Sequence, residues 1–258
     1  MNGAPAVHDS GSGPPLLLLH AYPLDASQWD HQVASLSGGR RCLRYDLWGF
    51  GASPAPPDAA RTLDDFAAAV LSDLETRGID RVDVVGMSMG GYVALALWRA
   101  AQPRLRSMVL CSTRATADTE AARADRVTVA ERALREDSTE FVADTMVDRL
   151  LGPGSRGEPH VIDPVRGRIR RSTPAGIAFA QRAMAARRDS TGLLHAIDVP
   201  TLVVTGAEDA LIAVDEQRAM AAAIPEARHV EMQCGHLPNL ELPYEFNDVL
   251  EEHLAAVR

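Results

Sequence analysis

Short apolar runs alternate along the chain with stretches in which apolar residues return at three- and four-residue spacing. The runs Leu16–His20, Cys42–Asp46, Val82–Met87, Ser107–Cys111, Thr201–Thr205 and Arg228–Met232 are too short for helices and read as buried strands. Helices are predicted after Ala26, from Thr62 to Arg77, from Ser88 to Ala101, over Asp215–Ala223, and from Tyr244 to the C-terminus, with Pro103, Pro200, Pro225 and Pro243 marking their ends or beginnings. Strand and helix in alternation predict an α/β fold, a mainly parallel sheet with helices on both faces.

Between about Arg114 and Ala196 the alternation stops. That segment carries helical spacing over Asp118–Glu136, Thr139–Leu151, about Ile162–Arg171 and Pro174–Arg187, and nothing in it reads as a buried parallel strand. The division expected is a core of residues 1–113 and 197–258 interrupted by a helical insertion, 114–196. Only a short Gly-, Pro- and Ser-rich lead precedes Leu16, which leaves little chain for further strands at that edge of the sheet.

Composition narrows the function. The 258 residues suffice to bury a full core in one α/β domain, and the formal net charge of −9 argues against nucleic acid as a partner. All 26 basic residues are arginine; without lysine there is no Schiff base, pyridoxal phosphate anchor or Walker-type phosphate lysine. Cys42, Cys111 and Cys234 are odd in number and widely spaced, so reduced thiols are expected rather than a disulfide or a metal site. The apolar run Leu16–Leu19 is too short for a signal peptide or membrane span, and a cytoplasmic protein without a membrane partner is expected.

The segment Val84-Val85-Gly86-Met87-Ser88-Met89-Gly90-Gly91-Tyr92 carries the most chemistry. An apolar run enters a Gly-x-Ser-x-Gly turn and leaves as an apolar helix, which lifts the serine hydroxyl above the sheet edge at the positive end of a helix. An ordinary helix N-cap does not require glycine on both sides, so Ser88 reads as a nucleophile. Downstream, Asp209 lies in the turn past the Thr201–Thr205 strand, and His236 lies in a loop after Arg228–Met232. Glu208 and Asp215 compete with Asp209, but Asp215 reads as the start of the next helix. The order Ser, Asp, His differs from both common serine protease orders.

These motifs, with His20-Ala21-Tyr22-Pro23, Asp46-Leu47-Trp48-Gly49-Phe50-Gly51 and Glu241-Leu242-Pro243, make the chain resemble the α/β-hydrolase superfamily almost end to end. Within it, the chain is similar to bacterial enol-lactonases and small esterases. The resemblance implies a cofactor-independent, metal-free hydrolysis of a small carboxylic ester or lactone by Ser88, His236 and Asp209 through an acyl-enzyme. The backbone N–H groups of Met89 and Tyr22 would form the oxyanion hole, although Ala21 stands where a glycine is usual. It also implies that the insertion caps the active site and that Tyr22, Trp48, Met89 and Leu237 meet the substrate. Hydrolysis of a carbon–carbon bond in a β-diketone-like substrate is the alternative, and a ligand receptor or tailoring protein on the same scaffold is another. His20 is expected to brace the oxyanion loop, Asp46 to close a tight turn on its own backbone, and Cys234 to be a packed small residue. The arginines Arg168, Arg170 and Arg171 are expected on a solvated helix face, the alternative being attraction of a substrate carboxylate. Oligomeric state is open.

Overall fold

A computed structural model describes residues 3–257; Met1, Asn2 and Arg258, at the outer ends of the expected core segments and of the last helix, lie outside the described residues. Among them runs a seven-stranded sheet of β1 (Val7–Ser10), β2 (Pro15–Leu19), β3 (Arg41–Tyr45), β4 (Val82–Met87), β5 (Leu105–Cys111), β6 (Thr201–Gly206) and β7 (Arg228–Met232), in the order β1-β3-β2-β4-β5-β6-β7. All pairings are parallel except β1 with β3. Strand β1 is the element that the apolar pattern misses: His8, Asp9 and Ser10 are polar, and an edge strand covered on one side needs no apolar run. Among the described residues β1 is the one antiparallel strand of the sheet.

Central strands β2 and β4 carry the core. Leu16, Leu17, Leu18, Val84, Val85 and Met87 have no accessible surface, and Trp98 and Phe246 close the core from helices on its flanks. The core helices are α1 (Asp30–Leu36), α2 (Leu63–Thr76), α3 (Met89–Ala101), α8 (Val214–Ala223), a short α9 (Pro238–Glu241) and α10 (Pro243–Ala256). Helix α2 starts where the sequence expects because Thr62 and Asp65 form a reciprocal capping box. Helix α9 lies in a segment that carries no periodic signal.

Between β5 and β6 the chain forms α4 (Glu120–Glu136), α5 (Glu140–Leu150), α6 (Pro159–Arg170) and α7 (Pro174–Ala185), with α4 packed along α7 and α5 along α6. Polar bonds dock this insertion on the core. Arg168 donates to the Ser27 hydroxyl and carbonyl, both at 3.0 Å, and Arg171 reaches Asp25 at 2.7 Å. The Thr173 N–H and hydroxyl both donate to the Gly49 carbonyl, at 2.9 and 3.0 Å. Beneath α4 and α7, the fully buried Asp118 side chain holds Arg114 at 2.7 Å, Arg126 at 2.5 Å and Arg187 at 2.7 Å. Burial alone would raise the Asp118 pKa, but the guanidiniums of Arg126 and Arg187 outweigh it and hold the carboxyl below its ordinary value.

Candidate active site

Ser88 sits between β4 and α3 with φ 53° and ψ −111°, a left-handed conformation that costs a non-glycine residue of order 1–3 kcal/mol. The surroundings enforce it. A Cβ on Gly86 would lie 2.4 Å from the Gly90 carbonyl oxygen, and one on Gly90 would lie 2.1 Å from that of Leu19, so the strand end and helix start pass only because both are glycine. The Ser88 N–H donates to Cys111 at 2.8 Å, and its carbonyl accepts from the Thr113 hydroxyl at 2.8 Å, which clamps the turn to β5. Its side chain makes no capping bond, so the N-cap explanation is eliminated. Instead Ser88 lines a cavity of about 340 Å³ with Tyr22, Tyr92, Phe141, Met146 and Met184 among its walls.

His236 is fully buried and its Nδ1 lies 2.8 Å from Asp209 Oδ2. Asp209 Oδ1 accepts the N–H groups of Leu211 (2.8 Å) and Ile212 (3.1 Å), while Oδ2 also accepts Gln217 Nε2 at 3.1 Å. Burial pushes the Asp209 pKa up, but His236 and the two backbone donors outweigh it, and the carboxyl stays below its ordinary value. A carboxylate acceptor on Nδ1 makes that nitrogen the one carrying the proton, which leaves Nε2 as the basic atom. Nε2 is buried and takes no hydrogen bond among the described residues. The Asp209 turn adjoins the Ser88 cavity, since Leu211 and Ile212 are among the cavity's lining residues. No bond between the Ser88 hydroxyl and His236 is closed in this structure; such contacts often tighten only when substrate binds.

The loop after β2 contributes Tyr22. His20 spans it: Nδ1 pairs with the Ala21 carbonyl at 2.9 Å, and Nε2 accepts the Leu47 N–H at 2.9 Å, the bracing role expected of it. Buried Gln28 accepts the Ala21 N–H at 2.9 Å and donates to Asn239 at 3.3 Å, tying this loop to α9, which begins two residues after His236. The N–H groups of Tyr22 and Met89 donate to no acceptor among the described residues. The Tyr22 hydroxyl is also buried, and burial pushes that phenol well above its usual pKa.

Three residues expected against the substrate stand elsewhere. Trp48 packs edge-on between Phe66 and Phe179, with ring centroids 5.3 and 5.6 Å away, and its Nε1 donates to the Gly3 carbonyl at 2.7 Å; this aromatic packing removes it from the cavity wall. Leu237 and the Met89 side chain are buried and are not among the residues that line the cavity. Arg170 and Arg171 are half exposed, as a solvated helix face requires, and pair with Glu140 and Asp25, while Arg168 is mostly buried against Ser27; none of the three is among the residues that line the cavity. The arginines at the cavity are Arg114, Arg126 and Arg149. Cys234 is a buried thiol raised in pKa by burial, and Asp46 closes its turn through Ala52 at 2.9 Å and also accepts the Ala26 N–H at 2.6 Å. Gln217, Gln28 and Asn239 escaped sequence reasoning because their partners lie up to 211 positions away and no local motif marks them. No cluster of three or more metal-ligating side chains occurs among the described residues, and no described helix is long and apolar enough to cross a membrane.

Comparison with known proteins identifies the family and the fold. The sequence profile described as "Alpha/beta hydrolase family" matches residues 16–249. The chain is 30% identical to the 2-hydroxymuconate semialdehyde hydrolase of a Pseudomonas species, over 96% of this chain and 89% of that protein. Its fold superimposes on a thermophilic esterase from Thermogutta terrifontis with a TM-score of 0.94 at 38% identity, covering 98% of this chain and 93% of the other. The enol-lactonase from Burkholderia xenovorans gives 0.89 at 29% identity, covering 97% and 96%. With the profile spanning nearly the whole chain and the seven-stranded sheet in place, this protein belongs to the alpha/beta hydrolase family.

Proposed function

We propose that the protein is a serine hydrolase of small carboxylic esters or lactones, working through Ser88, His236 and Asp209. The observation that carries this reading is the His236–Asp209 pair at 2.8 Å, whose other imidazole nitrogen is buried and unpartnered among the described residues, with the turn that follows Asp209 lining the same cavity as the strained Ser88. His236 Nε2 removes the Ser88 proton as Oγ attacks the substrate carbonyl. The Asp209 carboxylate stabilises the imidazolium that forms and holds the ring in its useful tautomer. The N–H groups of Met89, at the start of α3, and Tyr22 are the donors for the tetrahedral oxyanion. Collapse returns the proton to the leaving oxygen; in a lactone that oxygen stays attached to the acyl chain. Water, deprotonated by His236, then releases the acid and restores Ser88.

In this reading residues 114–196 are a cap, which excludes water and selects the acyl chain, and Phe141, Met146 and Met184 form its apolar wall. The similarity to an esterase and an enol-lactonase supports ester or lactone substrates. The three cysteines, all free and buried, fit the cytoplasmic location proposed for it. Labelling by a fluorophosphonate, with turnover of p-nitrophenyl esters, lactones and vinylogous diketones measured in parallel, tests the proposal. Labelling at Ser88 with ester or lactone turnover is the expected result. Turnover of the diketones alone would replace it with carbon–carbon hydrolysis, and labelling without any turnover would favour a receptor.

A further inference from the structure

The catalytic reading leaves Glu241 unused, although its half-buried carboxylate spans two parts of the molecule. One oxygen accepts the N–H of Gly152, just beyond the end of α5, at 2.7 Å, and the other accepts the N–H of Leu237, next to His236, at 3.3 Å. The His236 N–H itself donates to the Leu150 carbonyl at 3.0 Å, one of the carbonyls that the C-terminal end of a helix leaves without an intrahelical donor. The Glu241 N–H closes the ring by donating to the Leu237 carbonyl at 2.9 Å. Backbone contact supports the same junction: a Cβ on Gly152 would lie 2.6 Å from the Gly235 nitrogen, and one on Gly235 would lie 2.2 Å from the Gly152 nitrogen. His236 is therefore held through the insertion as well as through the sheet.

We propose that Glu241 is a positioning residue that couples α5 to the general base, so that the wall against which the acyl chain packs also sets the placement of His236. The geometry supports this because Phe141, Val142, Thr145, Met146 and Arg149 of α5 line the cavity while the end of the same helix holds the histidine backbone. This inference rests on the role of His236 given above. Its effect belongs on the chemical step: a displacement of about 1 Å in a catalytic group can cost on the order of 10²-fold in rate, while apolar contacts to the acyl chain are retained.

The test uses the full chain and compares wild type, Glu241→Gln, Glu241→Asp and His236→Ala. Glutamine keeps the side-chain length but sets an NH₂ against one of the two N–H donors, whereas aspartate is too short to reach both. Expected for Glu241→Gln is a fall in kcat per titrated active site of about 10- to 100-fold, with KM within about twofold and fluorophosphonate labelling of Ser88 slowed in parallel. Glu241→Asp should show a loss of the same kind. A lower active-site titre with unchanged kcat per site would make Glu241 merely structural and overturn the proposal, as would kcat and labelling rates within twofold of wild type in a folded variant. Undiminished activity in His236→Ala would instead overturn the catalytic reading, so the two failures are distinguishable.

Discussion

The sheet and the helical insertion meet at one cavity and share apolar burial, but the insertion adds buried ion pairs to it. Around β2 and β4 the structure rests on contiguous apolar burial, with Leu16, Leu17, Val84 and Val85 wholly enclosed. In the insertion, α5, α6 and α7 bury apolar faces, among them Val147, Ile169 and Ile177, whereas α4 buries only Ala130 and Ala133, and the segment is further fastened by Arg168 to Ser27, Arg171 to Asp25, and three arginines to Asp118. Apolar burial is non-directional and tolerates modest change, whereas a buried carboxylate shared by three guanidiniums depends on every partner. Ser88 thus stands on the apolar layer, and the cavity wall that the insertion supplies depends on directional contacts as well as on apolar burial.

The comparison predicts separable effects, the largest in the core. Ser88→Ala should abolish turnover while the melting temperature changes little, since the side chain is partly exposed in a cavity and fills no core volume. Asp209→Asn should lower kcat by about 10⁴-fold by permitting the wrong imidazole tautomer. A variant at either position that keeps more than a trace of activity would break the assignment of chemistry to the sheet edge.

Next in size, Asp118→Ala leaves three buried or half-buried guanidiniums without their shared anion and should cost about 3–5 kcal/mol in urea unfolding. Phe179→Ala, which removes the ring packed on Trp48 outside the cavity, should cost a similar amount, about 3–5 kcal/mol, without altering relative kcat/KM among esters. Met146→Ala should do the reverse: it faces the cavity, so the ratio of kcat/KM between long and short acyl esters should shift by about 1–3 kcal/mol per methylene-sized change. Equal shifts from Phe179→Ala and Met146→Ala would erase the distinction between a packing face and a substrate face.

The smallest effect concerns pH. Burial holds the imidazole of His253 below its ordinary pKa, so the unfolded chain binds a proton that the folded chain does not. Stability should therefore decline as pH falls below about 6.5, before the depressed carboxyls Asp118 and Asp209 begin to lose their contribution below about pH 4. Chemical denaturation between pH 7 and 5 checks this, and His253→Gln should flatten the first decline. An unchanged slope in that variant would remove His253 as its cause.

Much of this was readable along the chain because some instructions are local. Six strands follow from apolar runs, and the elbow follows from glycines two places either side of Ser88, since backbone crowding at a strand-to-helix turn acts within a few residues. Asp209 is marked by its place after a strand, and the structure joins it to His236, 27 positions on. Strand β1 was hidden because an edge position places little demand on polarity. Trp48 packs on Phe66 and Phe179, partners that a large aromatic residue beside a motif does not announce in sequence. Which arginines face the cavity, and which dock α6 on the loop after β2, depended on partners more than a hundred residues away. The same holds for Gln28 bridging to Asn239 and for Glu241 reaching both Gly152 and Leu237. Hydrophobic period and turn chemistry act between neighbours and are written in order along the chain; hydrogen bonds and ion pairs between distant segments exist only once the sheet has brought those segments together.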